Sequence, residues 1–302
     1  MKLTSGFPPN RRHALTAIFI GSFVLTLAVS SSAQTPRPEI FVPYLDTTLH
    51  PIVIDGSSSD WPAESLAHGV NFYPGDANPG SSTQYGTTVL GTMSGRADGE
   101  VTIYLTHDGN SLYLLAVIYD DLLEQRTSEN NANEAWKEDA LHIYIDSTNA
   151  QRANIPDPPI GNQPGYEQFG VSTDYNCYTE NCDFTTLKTA RGVALCGARP
   201  DQEHWLASIQ ITGTGPYTYI FEERIPLQEV AGHNLRTMTP GQSYGFNAEF
   251  VDSDAGVYLQ GWMFWSGNGR LDVWNYESMW GRMTLEETPP IPSDTGNWDL
   301  YR

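Results

Sequence analysis

Trp136-Lys137-Glu138-Asp139-Ala140-Leu141-His142-Ile143-Tyr144-Ile145-Asp146 decides how this chain is read. Leu141, Ile143 and Ile145 alternate with His142, Tyr144 and Asp146. Successive side chains of a strand point to opposite faces, so the three aliphatic residues are expected in a core and the three polar ones on the outer face. Trp136 and Asp139 stand in the turn that leads into this strand.

The same period of two recurs on either side. Val101, Ile103 and Leu105 alternate with Thr102, Tyr104 and Thr106, and Tyr244, Phe246, Ala248 and Phe250 with Gly245, Asn247 and Glu249. Asp108-Gly109-Asn110 reads as a hairpin turn between strands predicted at 100–107 and 111–120. Further strands are predicted at 51–54, 140–146, 205–212, 217–225, 243–252, 257–265 and 281–286. No long segment has helical periodicity, and no repeat recurs at a fixed spacing. Short strands joined by Gly, Pro and Asn turns predict an all-β fold, an antiparallel β-sandwich of jelly-roll type with long loop insertions.

The domain reading follows from composition along the chain. Residues 51–287 form the sandwich, after a proline-bearing lead-in at 34–50 and before a loose tail at 288–302. Residues 74–99, rich in Gly, Ser, Thr and Asn, read as a long surface loop. Residues 147–200 read as an insertion carrying every cysteine, with only short strand-like pieces such as 168–171. Lys2, Arg11 and Arg12 precede an apolar run at 14–29, and Ser31-Ser32-Ala33 supplies a small-x-small cleavage site. Residues 1–33 are therefore expected to be a signal peptide, and the protein to be secreted or otherwise extracytoplasmic. Export implies an oxidising compartment, where Cys177 and Cys182 are the nearest pair for a disulfide and Cys196 is left over.

The formal net charge of −20 makes nucleic acid and anionic membrane poor partners. It suits neutral ligands and hard cations. Catalysis finds little support: there is no G-x-S-x-G elbow, H-E-x-x-H pair, P-loop or Rossmann glycine run, and with 36 acids a carboxylate pair decides nothing.

Several blocks in order carry a family resemblance: Ile54-Asp55-Gly56 with Asp60-Trp61, then Asp108 and Leu112-Tyr113-Leu114, then Trp136 to Asp146. Glu222, Ile225-Pro226, Gly245-Phe246-Asn247, Trp265, Trp274 and Trp280-Gly281 complete the set. In that order the chain resembles the family 9 carbohydrate-binding modules. The resemblance implies a non-catalytic β-sandwich that binds polysaccharide or oligosaccharide, in service of polysaccharide breakdown. It implies that Trp136 and Trp274 are the two walls between which a sugar ring stacks, since a pyranose has apolar C–H faces and an indole is flat. His142 and Tyr144 stand on the strand face turned toward that ligand.

Two positions depart from the family. His142 stands where the family commonly has a glutamate, and Phe169-Gly170-Val171 lacks its usual arginine. A neutral imidazole gives or takes one hydrogen bond where a carboxylate takes several, so the polar clamp is expected to be rewritten. The resemblance also implies structural calcium. The clustered oxygens available for it are Asp120-Asp121 and Asp252-Ser253-Asp254. Two other readings stay open: a self-associating surface protein that keeps the sandwich without sugar binding, and a haem b-binding electron-transfer subunit with His142 or a methionine as an axial ligand.

Overall fold

Strand β1 (Glu39–Val42) turns Ile40 and Val42 inward and Glu39 and Phe41 outward, and with it the chain enters the sandwich. The computed structural model describes residues 37–74, 88–93, 95–124, 138–152, 165–173, 177–179, 194–195, 205–229, 235–254, 261–267, 273 and 276–289. The first strand thus lies inside the stretch read as a lead-in, whereas residues 51–54 are not a strand. Their Ile54 is buried with Trp61 against Tyr113 and Leu115, so this segment covers a sheet instead of joining one.

The other strands follow in chain order: β2 (Val70–Phe72), β3 (Thr88–Gly91), β4 (Glu100–His107), β5 (Ser111–Asp120) and β6 (Ala140–Asp146). Then come β7 (Tyr166–Ser172), β8 (Cys177–Thr179), β9 (Ala194–Leu195), β10 (Leu206–Gly213) and β11 (Tyr217–Pro226). The last are β12 (Ser243–Asp252), β13 (Gly261–Phe264) and β14 (Gly281–Leu285). The helical segments among the described residues are short 3-10 turns, at Ser65–His68, Arg96–Asp98, Glu277–Met279 and around Val273.

An eight-stranded sheet runs β1-β14-β12-β6-β7-β8, with β13 also on β12 and β3 on β13. A six-stranded sheet runs β2-β4-β5-β11-β10-β9. Strand β12 is the pivot of the larger sheet. One of its edges pairs with β14 over residues 243–246 and with β13 over 249–252, while the other edge pairs with β6 over 245–251. All neighbours are antiparallel except β1 and β14. The β4–β5 hairpin turns at Gly109, whose φ of +87° only glycine adopts without strain, and Asp108 Oδ1 accepts from the amides of Asn110 and Ser111 at 2.8 Å.

The core between the sheets is built by the predicted alternation. Leu141, Ile143 and Ile145 meet Val101, Ile103, Leu105, Leu114 and Ala116 together with Phe246, Ala248 and Phe250. Three expectations need correction. Residues 88–91, in the stretch read as a loop, form β3 on the edge of β13. Strand β7, in the stretch read as an insertion, pairs along all of β6 and buries Phe169 and Val171 in the core. Finally, β6 is buried on both faces rather than one, because it is central in its sheet and its outer face is also covered.

Candidate functional site

Two constellations stand out, one at an end of the sandwich and one on the outer face of the larger sheet. The first is acidic. Asp120 closes β5, Asp121 follows it, Asp252 closes β12, and Asp254 lies just beyond. The sequence offered these as two separate pairs, and the fold makes them one cluster. Carboxylate oxygens of Asp120, Asp252 and Asp254 lie within 4.8 Å of one another, and so do those of Asp98, Asp121 and Asp254.

Asp98 and Asp139 escaped the sequence reading as partners of this cluster. Asp139 sits at the head of β6, where its Oδ1 accepts from the Ser253 amide at 2.9 Å and its Oδ2 from the Glu124 amide at 2.8 Å. Tyr219 donates toward Asp120 Oδ2 at 2.8 Å and Asp139 Oδ2 at 3.2 Å. Burial first, and the neighbouring acids next, push Asp252 up to about 9. Burial pushes Asp120 up to about 7, against the Tyr219 hydrogen bond, and holds Asp139 well above the usual carboxylate range.

These residues fit a hard cation. Asp252 is 0 % exposed, and neither of its oxygens finds a hydrogen-bond partner among the described residues; the same is true of Asp120 Oδ1. A buried carboxylate without donors is costly unless it is protonated or neutralised. Several converging oxygens of this kind are what Ca²⁺ prefers.

The second constellation is polar and aromatic. Register places Glu249 beside His142 and Asn247 beside Tyr144 on one flank of β6, and Gln168 beside Tyr144 on the other. His142 Nδ1 lies 2.9 Å from Glu249 Oε2, and since a carboxylate only accepts, the ring nitrogen carries the proton. Tyr144 donates its hydroxyl to that same oxygen. The face is roofed beyond Tyr144 by Phe264, Val273 and Trp280, with half-buried Trp262 at its margin.

The roof is fastened at many points. Asn247 Nδ2 donates to the Ser266 carbonyl at 2.8 Å while its Oδ1 accepts from the Ser266 amide at 3.0 Å. Trp280 Nε1 donates to the Val273 carbonyl at 2.9 Å. Arg152 donates to Glu277 from its Nε at 2.8 Å and pairs again through Nη2. Arg37 Nε donates to the Trp280 carbonyl at 2.6 Å. The covering is therefore part of the fold, and His142 is only 3 % exposed beneath it.

Of the site residues expected from the sequence, His142 and Tyr144 share the outer face of β6 and meet on Glu249, a residue whose outward parity was legible but whose register was not. Asp120, Asp121, Asp252 and Asp254 are gathered together. Trp136, Trp274 and Cys182 lie outside the described residues; Cys177 begins β8. Trp61, Trp205 and Trp280 are buried packing residues, the first two donating their indole N–H to Glu222 at 2.6 Å and Glu223 at 3.0 Å.

Comparison with known proteins agrees with this architecture. No curated protein matches the chain. A solved carbohydrate binding module family 9 from Caldicellulosiruptor kristjanssonii, in complex with cellotriose, is 18 % identical, covering 84 % of this chain and 98 % of its own, with a TM-score of 0.51. The same organism's module in complex with glucose matches at 16 % identity, covering 84 % and 99 %, with a TM-score of 0.52. At such identities the likeness speaks for the fold. The model of the family described as carbohydrate family 9 binding domain-like matches residues 78–157 and 173–288, most of the sandwich. The chain belongs to that family.

Proposed function

We propose that this protein is a non-catalytic carbohydrate-binding domain whose ligand is a polysaccharide or oligosaccharide. The observation that carries the reading is membership of the family whose model matches residues 78–157 and 173–288. Sugar recognition needs aromatic surface and hydrogen-bonding groups together, because the ring's C–H faces stack on aromatics while its hydroxyls need hydrogen bonds. The cellotriose and glucose held by the similar modules support it.

In this reading Trp136 and Trp274 are the stacking walls. Their neighbours in the chain suit the role: Asp139 leads into the strand that carries His142, and Val273 packs beside Tyr144. The acid cluster would hold calcium through Asp120, Asp252 and Asp254, with Asp98 and Asp121 alongside. When bound, the ion supplies positive charge that lets these carboxylates stay ionised between the ends of two sheets. The acting form is the exported one, freed of residues 1–33. Screening purified protein against a glycan array, with calcium and with EDTA, tests the function. Saturable binding of a saccharide by monomeric protein is expected, and self-association with no glycan bound would overturn it.

A further inference from the structure

We propose that His107 is an acid-sensitive latch: its neutral ring holds the entry and the exit of the chain on the sandwich, and its protonation releases them. The latch lies at the end of β4, in the six-stranded sheet, and needs no saccharide to work.

Three stretches of chain meet at this histidine. From the entry, Leu45 donates its amide N–H to the His107 carbonyl at 2.8 Å. The Pro43 carbonyl accepts from the His107 amide at 3.0 Å and from Thr106 Oγ1 at 2.8 Å. Between them the Tyr44 ring stands edge-on to the imidazole, with centroids 5.7 Å apart. From the exit, Glu286 donates its amide N–H to the Val42 carbonyl at 2.9 Å, and its Oε2 accepts from the Tyr44 amide at 2.8 Å. The third stretch is the β4–β5 turn, where a methyl group added at Gly109 would lie 3.2 Å from the Thr288 side chain.

The ring can serve this junction in one protonation state only. His107 Nδ1 accepts from the Gly109 amide at 3.2 Å, so it carries no hydrogen, and the proton of the neutral ring is on Nε2. A second proton would set an N–H on Nδ1 against the Gly109 N–H, donor facing donor. It would also place a charge on a residue that is 0 % exposed. Burial holds the imidazole below its ordinary 6.5, while the Glu286 backbone and the Asp108 and Glu286 carboxylates pull more weakly the other way. The cross-strand neighbour Leu112 is apolar, and the titratable group facing the ring from the entry is Tyr44. Below about pH 6.5 the released chain takes up the proton and the latched chain does not. The latch is therefore firm above that pH and weakens progressively below it. Its opening loosens β1, which runs directly into the entry stretch.

Amide hydrogen exchange of wild type and His107→Asn at pH 7.5 and pH 5.5, corrected for intrinsic rates, tests this at Leu45, Gly109 and Glu286. Asparagine keeps an acceptor for the Gly109 amide and does not titrate. Relative to the amides of β12, opening at these three positions of wild type should rise about tenfold between the two pH values, and His107→Asn should show no such rise. Nitrogen NMR of the wild-type ring should find Nδ1 without hydrogen at pH 7.5. A hydrogen on Nδ1, or unchanged protection of the three amides in acid, overturns the latch whether or not the variant folds. An equal acid response in His107→Asn overturns it too, and assigns the pH dependence of the junction to its carboxylates.

Discussion

Tyr219, in the six-stranded sheet, donates a 3.2 Å hydrogen bond to Asp139, which stands at the head of β6 in the other sheet. Asp139 lies three positions before His142, so the acid cluster and the polar face of β6 share one short piece of backbone. The two constellations are thus mechanically adjacent although their side chains lie on different sides of the sheet.

Calcium should raise thermal stability. A ligand at 100 times its dissociation constant adds about 2.7 kcal/mol, which for a domain of this size corresponds to a shift of roughly 5–10 °C. Asp252→Asn should lose that response, since Asp252 supplies oxygens that have no other partner among the described residues. Differential scanning fluorimetry with EDTA and then calcium checks it; coincident curves for wild type would count against the ion.

Stability should fall between about pH 4.5 and about pH 8 on account of Glu223. This acid points into the core with only Trp205 as a donor among the described residues, and burial raises its carboxyl from 4.5 to about 8. Across that window the unfolded chain has released the proton while the folded chain still holds it. Stability therefore drops as pH rises, and levels off above the folded value. Glu223→Gln should be flatter over the same range. Urea midpoints of both proteins at pH 5 and pH 8.5, in saturating calcium, separate this residue from the acid cluster.

Trp136→Ala and Trp274→Ala should each abolish glycan binding and leave the far-ultraviolet circular dichroism and melting temperature close to wild type. Loss of one stacking wall costs about 1–3 kcal/mol by analogy with aromatic stacking on other flat ligands, enough to take a weak binder below detection. Unfolding or aggregation of both variants would place these tryptophans in the core.

Arg152→Ala should destabilise the fold by about 3–5 kcal/mol, because it removes the guanidinium that neutralises the fully buried Glu277 carboxylate and leaves it, among the described residues, only the backbone amide of residue 152. Adding Glu277→Gln to it should recover part of the loss. A denaturation series on the single and double variants reads the coupling, and simple additivity would show that the pair acts independently.

Much of the fold was legible because a period of two is a local signal. Strands β4, β5, β6 and β12 occupy the residues that alternation assigned to them, and the outward parity of His142, Tyr144 and Glu249 follows from that rule alone. Short edge strands were not legible. Thr88–Gly91 and Glu39–Val42 are each too brief for a pattern, and they become strands only because β13 and β14 offer an open edge.

The site divides along the same line. The sequence by itself determined which residue types are available: an acid after β5, two after β12, and a histidine and a tyrosine facing one way on β6. Only the tertiary structure decided which of them meet. Register between antiparallel strands sets Glu249 against His142, and sheet stacking brings the end of β5 to the end of β12. Both depend on contacts between residues more than a hundred positions apart, and no local propensity encodes such a distance.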